Sequence, residues 1–599
     1  MEFKNLILTK QYRYKNKHID KQKTIIGFDT ETYDGKAFLL CDSENSYTMD
    51  SDNMIEWLMQ RKYRDSINFF YNIDYDVMAI LKNIMDFPAF KKLYYSNEYI
   101  YDDITIKYIP RKFFNLKKDS NSVSYYDLFQ FYNMSLDNAS KTYLNEEKIK
   151  IETKDFPPEY VKLNRDKIIE YCNKDASLTK RLGDNMQKCF SAVGGMYKPI
   201  SQAYISQHYF LTNCNIPNIL KLPIPIIESA FNSYHGGRFE VIKKGCMDKM
   251  NLYDIHSAYP SAMRELLDYT IGKWTKTTLP SVHGFYKVKI IFNDNFIYPQ
   301  PIKSHEGIIK YPKNFMGWIT GHELTYYIEN NLCQSLSIIE GFSWQGKEVF
   351  PLKETMEYLY DERQKSAEKK YAIKILSNSI YGKFIQKNYF LEKCGYEESD
   401  YFNPDEMQHY KRVWKTGCLF NPLWASEITA LTRIKLFDNA IKYDAVSMAT
   451  DSILTEKFMP ESDALGGWGL EKDKNGKLLK QIPTIILGSG IYQLGEENTD
   501  NFLVKLRGIH KKISLKKMLN DNTENDFIKL EIVNVQKLGK TIVSENTDEN
   551  DFKDLNNFKT ETKQININFD IKRVWESKWK NCDDVFNKLI ESKPPISII

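Results

Sequence analysis

Two hydrophobic rhythms alternate along this chain. From 24 to 40, TIIGFDTETYDGKAFLL reads as an apolar strand ending in acids, then a turn, then a second strand. INFFYN at 67–72 is another strand, and it runs into DVMAILKNIM, whose apolar spacing predicts a helix. KIIEYCNKDASLTKRLGDNMQKC at 167–189 predicts a longer amphipathic helix. Residues 1–195 therefore predict a mixed α/β domain closing near the VGGMYKP loop at 193–199. Residues 350–388 are strongly helical with two basic stripes, and 443–455 predict a hairpin turning near Thr450 and Asp451. The last hundred residues alternate short strands with Lys- and Asn-rich loops.

At 599 residues and 70.5 kDa the chain predicts three or four domains or subdomains. A net charge of +4 from 83 basic and 79 acidic residues does not by itself choose a partner. Nine cysteines without a CxxC pair argue against a zinc ribbon, an iron–sulfur cluster or a disulfide framework. The N-terminus MEFKNLILTKQYRYK has no signal-like apolar core, and no uncharged apolar run is long enough to span a bilayer. The expectation is a soluble, intracellular protein with no membrane partner.

Asp29 and Glu31 lie at i and i+2 on a strand, so both side chains leave one face and repel unless a cation lies between them. Asp76 follows the FFYN strand, and Tyr171 and Asp175 lie at i, i+4 on one helix face. Four acids from three distant segments suit a site for two divalent ions about 3.5–4 Å apart, at which water cuts a phosphodiester and Tyr171 orients it. A lone D-x-E at a strand end is more often a solvated turn, whereas the ordered set is specific. Asp254 follows the apolar NLY and precedes a turn at Pro260, so a strand delivers its carboxylate. Arg363, Lys370, Lys374, Asn378 and Tyr381 are spaced 7, 4, 4 and 3 apart, close to one helical face. Such a stripe suits gripping a triphosphate, with Tyr381 stacked near the base.

The motifs D-x-E, N-x-x-Y-D (Asn72, Tyr75, Asp76) and Y-x-x-x-D resemble those of the proofreading 3′–5′ exonuclease domain of family B DNA polymerases. D-x-x-S-x-Y-P (Asp254, Ser257, Tyr259), K-x-x-x-N-S-x-Y-G (Lys374, Asn378, Ser379, Tyr381, Gly382) and the T-D-S at Asp451 resemble the polymerase motifs of that family. Tyr234, Gly236 and Gly237 fit the Y-x-G-G linker of its protein-primed branch, found in small tailed phages, linear plasmids and some viruses. Thr429 and Arg433 resemble its T-x-x-G/A-R motif.

The resemblance implies an α/β multidomain fold: an RNase H-like exonuclease domain plus a right-hand polymerase of palm, fingers and thumb. It divides the chain into an exonuclease domain (1–195), a first palm part (196–260), a first insertion (261–350), fingers (351–386), a second insertion (387–426), a second palm part (427–500) and a thumb and C-terminal region (501–599). The insertions would serve terminal-protein priming and strand displacement. Magnesium or manganese, two ions per site, would be held by Asp254, Ile255 and Asp451 in the palm and by Asp29, Glu31 and Asp175 in the exonuclease domain. Tyr259 would exclude a ribose 2′-hydroxyl, beside Ile255 and the cationic stripe on the nucleotide. DNA would contact Thr32, Asn72, Tyr75, a Ser135–Leu136 motif with a rival alignment at Asp127, Tyr234, Gly236, Gly237, Ser257, Ser379, Gly382, Thr429, Arg433 and Tyr492. Template and primer DNA, deoxynucleoside triphosphates and a terminal protein would be the partners of a monomer in the host cytoplasm.

The chain departs from the pattern twice. The third palm motif, Y-x-D-T-D-S in the family, reads Ser447-Met448-Ala449-Thr450-Asp451-Ser452, so one carboxylate expected on the face of Asp451 is missing. An engineered inactivating change accounts for Ala449 more simply than a natural variant that copes with Asp254 and Asp451. The K-x-Y motif appears as Gly490-Ile491-Tyr492 without its lysine; the basic cluster Lys505, Arg507, Lys511 and Lys512 in VKLRGIHKK reads equally as its substitute, with Lys505 and Arg507 on DNA, or as a solvated strand edge. The rival readings are a nuclease whose polymerase half only holds DNA, and a non-enzymatic DNA-binding scaffold.

Overall fold

The computed structural model describes residues 2–10, 23–151, 156–196, 198–403, 406–473, 476–497, 499, 502–509, 513–538 and 553–597. An eight-stranded mixed sheet forms the N-terminal domain. Its centre is β1 (Ile25–Tyr33), β2 (Lys36–Asp42), β3 (Ile67–Phe70) and β4 (Asn121–Asp127), in the order β2-β1-β3-β4, with β1, β3 and β4 parallel. The strand β3 reads INFF and is buried throughout, as expected of a parallel strand covered on both faces. One cover is α1 (Ile73–Leu81) and another is α2 (Pro158–Ser191), which is longer than its apolar period predicts.

A ten-stranded sheet forms the middle of the molecule. It contains β5 (Arg238–Val241), β6 (Lys243–Ile255), β7 (Ser447–Thr450), β8 (Ser452–Thr455), β9 (Trp468–Leu470), β10 (Ile482–Gly488), β11 (Ile491–Leu494) and β12 (Leu503–Leu506). The long strand β6 is its spine: it pairs antiparallel with β8, β9 and β10 and, at Lys243–Lys244, with the C-terminal strand Ile590–Lys593. The sheet thus continues past residue 500 and takes back a segment from the chain's end.

Three helices lie beside this sheet: α3 (Lys353–Lys365) and α4 (Ala367–Ser379), which pack on the short helix Ala258–Met263 that follows β6, and α5 (Pro422–Lys442), which packs on β7 and β8. A four-stranded antiparallel sheet within 273–345 and a hairpin of Lys387–Cys394 with Gln408–Thr416 are separate units. The hairpin of β13 (Phe527–Val535) and β14 (Phe558–Asn566) projects from the C-terminal region to the N-terminal domain. No helix among the described residues is long and apolar enough to cross a membrane.

The helical segment 350–388 departs from the one continuous helical face expected for Arg363, Lys370, Lys374, Asn378 and Tyr381. The backbone leaves helical geometry at Ser366 (φ −137°, ψ 117°), whose Oγ accepts from Lys369 N and starts a second helix. Arg363 therefore belongs to α3 and the lysines to α4, while Tyr381 lies in a 3₁₀ turn.

Candidate active sites

The N-terminal acids converge. Asp29 and Glu31 come from β1, Asp76 from the first turn of α1 and Asp175 from α2, and all line one cavity of about 250 Å³ with Tyr171. The buried Cys172 thiol, one turn before Asp175, donates to Asp29 O (3.4 Å) and seats α2 on β1. Asp29, Glu31 and Cys172 offer ligand atoms within 4.8 Å of one another. Thr30 Oγ1 donates to Asp76 Oδ1 (2.7 Å).

Burial pushes all four carboxyls up. Asp29 and Glu31 rise well above the ordinary range, with Asp175 as the strongest like charge on each. Asp76 rises to about 7 against the Thr30 hydrogen bonds, and Asp175 to about 6 against Lys148. Glu31 Oε1 and Asp175 Oδ1 are buried without a hydrogen-bond partner. Crowded carboxylates with orphaned oxygens are the donor set of a hard divalent cation, so the residues fit magnesium or manganese.

Lys148 enters this cavity unannounced by the sequence. Its ammonium pairs with Asp175 Oδ2 and stands 5.1 Å from the Tyr171 ring centroid. Burial works against that charge, yet Asp175 and Asp29 hold its pKa above the ordinary lysine value. Thr32 Oγ1 and Tyr75 OH share a 2.6 Å hydrogen bond at the cavity wall. Asn72 stands exposed at the start of α1. Ser135 caps the helix Leu136–Leu144, and Leu136 reaches the cavity. Asp127, the rival position, instead accepts from Ile73 N and Phe129 N.

The second site lies at one end of the central sheet. Asp254, next to last in β6, sits opposite Ser452, and Ser452 opposite Ala449. Asp451 occupies the turn that 443–455 predicts, so it does not share a strand face with Ala449. Thr450 carries φ +59°, an outlier for a β-branched residue, and Asp451 N donates to Ala449 O (2.7 Å). Asp451 O in turn accepts from Ile255 N (2.9 Å), which ties the turn to the spine. The Ile255 side chain is buried, so only its backbone could meet a ligand.

Burial, then Asp451 and Glu471, push the Asp254 carboxyl up to about 8, with Lys374 opposing. Burial and Glu471 also raise Asp451. Glu471 follows β9, which lies beside Asp254 in register, and it is the acid that the sequence reading missed. With Ala449 uncharged, three carboxylates still act on this end of the sheet.

Helix α4 faces the site with Lys370, Lys374 and Asn378 exposed. Arg363 Nη1, from α3, donates to Ser257 Oγ (3.0 Å), and Ser257 (φ +54°) turns the chain after Asp254. Tyr259 packs on Tyr381 (4.4 Å between centroids), and Tyr381 OH meets Tyr234 OH at 2.6 Å. Gly237 allows that convergence: a Cβ there would lie 3.0 Å from Thr450 Cγ2 and 3.2 Å from Tyr259 OH. Gly236 and Gly382 border open space, and Ser379 Oγ donates to Gln202 Oε1 (3.4 Å).

Two residues expected on DNA are placed elsewhere. Thr429 is fully buried and bonds to carbonyls of its own helix. Arg433, also buried, pairs with Glu323 (2.6 Å) and donates to His235 O and Gly236 O. Every residue of α5 from Pro422 to Ala430 is buried, the polar Ser426, Glu427 and Thr429 included, so the helix lies inside the protein and its arginine clasps the Tyr234–Gly237 loop instead of meeting solvent. Tyr492 pairs with Lys505, and Arg507 N donates to Gly490 O, so exposed cations do flank the missing lysine. Lys511 and Lys512 lie outside the described residues.

These sheets and their two acid clusters make up the mixed α/β multidomain fold of a right-hand polymerase. The chain belongs to the family described as DNA polymerase type B, organellar and viral, which its residues 146–464 match. A DNA polymerase of Kluyveromyces lactis is 25% identical over 378 residues, 51% of this chain but 36% of that protein. This chain thus spans about a third of that curated relative. Among solved structures, the Phi29 DNA polymerase complexed with primer-template DNA and incoming nucleotide superposes with a TM-score of 0.59, 14% identity and coverage of 92% of this chain and 100% of that one. An orthorhombic crystal form of the Phi29 enzyme gives 0.56 and 15% identity, covering 85% and 97%.

Proposed function

We propose that this chain is a DNA-directed DNA polymerase that starts synthesis from a terminal protein, displaces the non-template strand and proofreads with a 3′–5′ exonuclease. The observation that carries this reading is the meeting of Asp254, Asp451 and Glu471 at one sheet end, opposite Lys374 of a separate helix. Phosphoryl transfer needs positioning and charge more than covalent help, and these residues supply both. Asp254 and Asp451, with the Ile255 backbone, are the residues that would hold magnesium or manganese. Bound cations would neutralise charge on the triphosphate and lower the pKa of the attacking hydroxyl.

The chain's own residues do the rest. Lys370 and Lys374 attract the phosphates, Arg363 steadies Ser257, and the Tyr259–Tyr381 pair forms a wall that admits a deoxyribose. In the N-terminal domain Asp29, Glu31, Asp76 and Asp175 would hold the cations of the nuclease, with Tyr171 and Lys148 orienting water and phosphate. The domain division given above, the terminal protein and the monomeric state belong to the same proposal. Ala449 lies two strands from Asp254 in the same row, so it lowers the negative charge on the catalytic end and impairs incorporation.

Primer extension and terminal-protein nucleotidylation, run on this chain beside Ala449→Asp, test the reading. Incorporation that rises in the variant by up to about a thousandfold, the equivalent of ~4 kcal/mol, supports it. An equal rate in both refutes the impairment. A second reading, a nuclease whose remaining domains only hold DNA, draws on the contrast between four enclosed N-terminal acids and the palm motif lacking one. Degradation of single strands without extension by either protein favours it.

A further inference from the structure

The exonuclease cavity has a wall that comes from the other end of the chain. Phe558, the first residue of β14, lines the same cavity as Asp29 and Asp175, and its ring stands 6.1 Å from that of Tyr75. It is 50% exposed, although it sits at the junction of two domains. A second cavity, of about 320 Å³, adjoins the first and is lined by Thr32, Tyr75, Asn556, Asn557 and Phe558, among others. Thr32, Tyr75 and Phe558 border both, so the two aromatic rings stand where the cavities adjoin.

The hairpin is fixed in place by more than surface contact. Leu538 and Leu555 are buried in the core of the N-terminal domain. The buried Lys82 ammonium donates to Lys553 O (2.7 Å), Leu555 O (2.7 Å) and Asp34 O (3.1 Å). Asn556 Nδ2 donates to Tyr75 O (3.1 Å), and Asn557 Nδ2 to Asp34 Oδ1 (2.9 Å). Gly35, at φ +68°, admits the approach, because a Cβ there would lie 2.8 Å from Leu555 O. A half-exposed phenylalanine held this firmly at the mouth of an acid cavity is unusual for packing alone, whereas every nucleobase offers a π-face to such a ring.

We propose that Phe558 and Tyr75 clamp a base of the single strand whose 3′ end lies among the acids, and that Lys82 latches the hairpin so that the clamp is in place. The inference rests on the nuclease reading of the N-terminal site. Phe558 is a positioning residue, so its loss should weaken binding and spare the chemistry.

The test is steady-state degradation of a single-stranded oligonucleotide by the full chain with magnesium or manganese. Phe558→Ala is expected to raise KM about tenfold with kcat within about twofold, and Phe558→Trp to restore KM. Lys82→Met should raise KM in the same way. An unchanged KM in Phe558→Ala overturns the clamp, as does a loss confined to kcat. Wild-type protein that leaves the strand intact overturns instead the metal-site reading beneath it.

Discussion

The N-terminal cavity and the end of the central sheet both gather carboxylates, but by opposite means. In the first, four acids from three segments are enclosed, and Lys148 from a fourth segment offsets part of their charge inside the same cavity. In the second, Asp254 and Asp451 sit at a sheet end, and the balancing cation, Lys374, comes from a helix of another part of the molecule. The enclosed cluster carries its own neutralisation. The open one depends on a partner element across a cleft, which is where an incoming triphosphate would also be held. Asymmetry of this kind lets one site tolerate a missing acid differently from the other.

The sharpest way to break the comparison is Asp29→Ala. It should lower single-strand degradation about a thousandfold or more while leaving primer extension intact, since the two clusters share no residue. Parallel loss of both activities would mean that the sites are not separate. Next in size, Glu471→Gln should lower incorporation about tenfold in this chain and less in the Ala449→Asp background, where another carboxylate stands in the row. Equal losses in both backgrounds would remove Glu471 from the site.

A smaller effect concerns pH. Asp76 and Asp175 rise to about 7 and about 6, so the folded chain keeps protons that the unfolded chain releases near pH 4. Stability from this cluster is therefore full below pH 4 and is lost as pH rises through about 7. A divalent cation should reverse that loss. Manganese added after chelator treatment should raise Tm by about 3–5 °C at pH 8 and by less than about 1 °C at pH 5, read by calorimetry. Equal shifts at both pH values would contradict the charge argument. The smallest effect belongs to Tyr381→Phe, which removes the hydrogen bond to Tyr234 and should raise the nucleotide KM about threefold, with kcat retained.

Much of this was legible in the sequence because the acids ride on strongly periodic elements. Asp29 and Glu31 end an apolar strand, and Asp175 lies on a long amphipathic helix, so their faces could be deduced without coordinates. Lys148, Glu471 and Phe558 carry no such signal. Each reaches its site from a loop or strand end, and only tertiary folding brings it there. The break at Ser366 had a local sign, a serine able to cap a new helix, but the continuous helical period around it concealed the stop. Arg433 was misjudged for a different reason: cations are read as surface groups, yet its helix is buried around it and a buried partner, Glu323, takes its charge. At Asp451 a two-residue turn of Thr450 and Asp451, strained at Thr450, overrode the alternation that would have set 449 and 451 side by side.

The antiparallel contact of β6 with Ile590–Lys593 has a bearing on biogenesis. Ser592 Oγ bonds Ile242 O across a sequence separation of 350 residues. At ribosomal speeds of about 5–20 residues per second, the spine strand waits roughly 20–70 s for this neighbour to be made. During that interval its edge is bare, so the nascent chain is most vulnerable to wrong pairing at the very strand that bears Asp254.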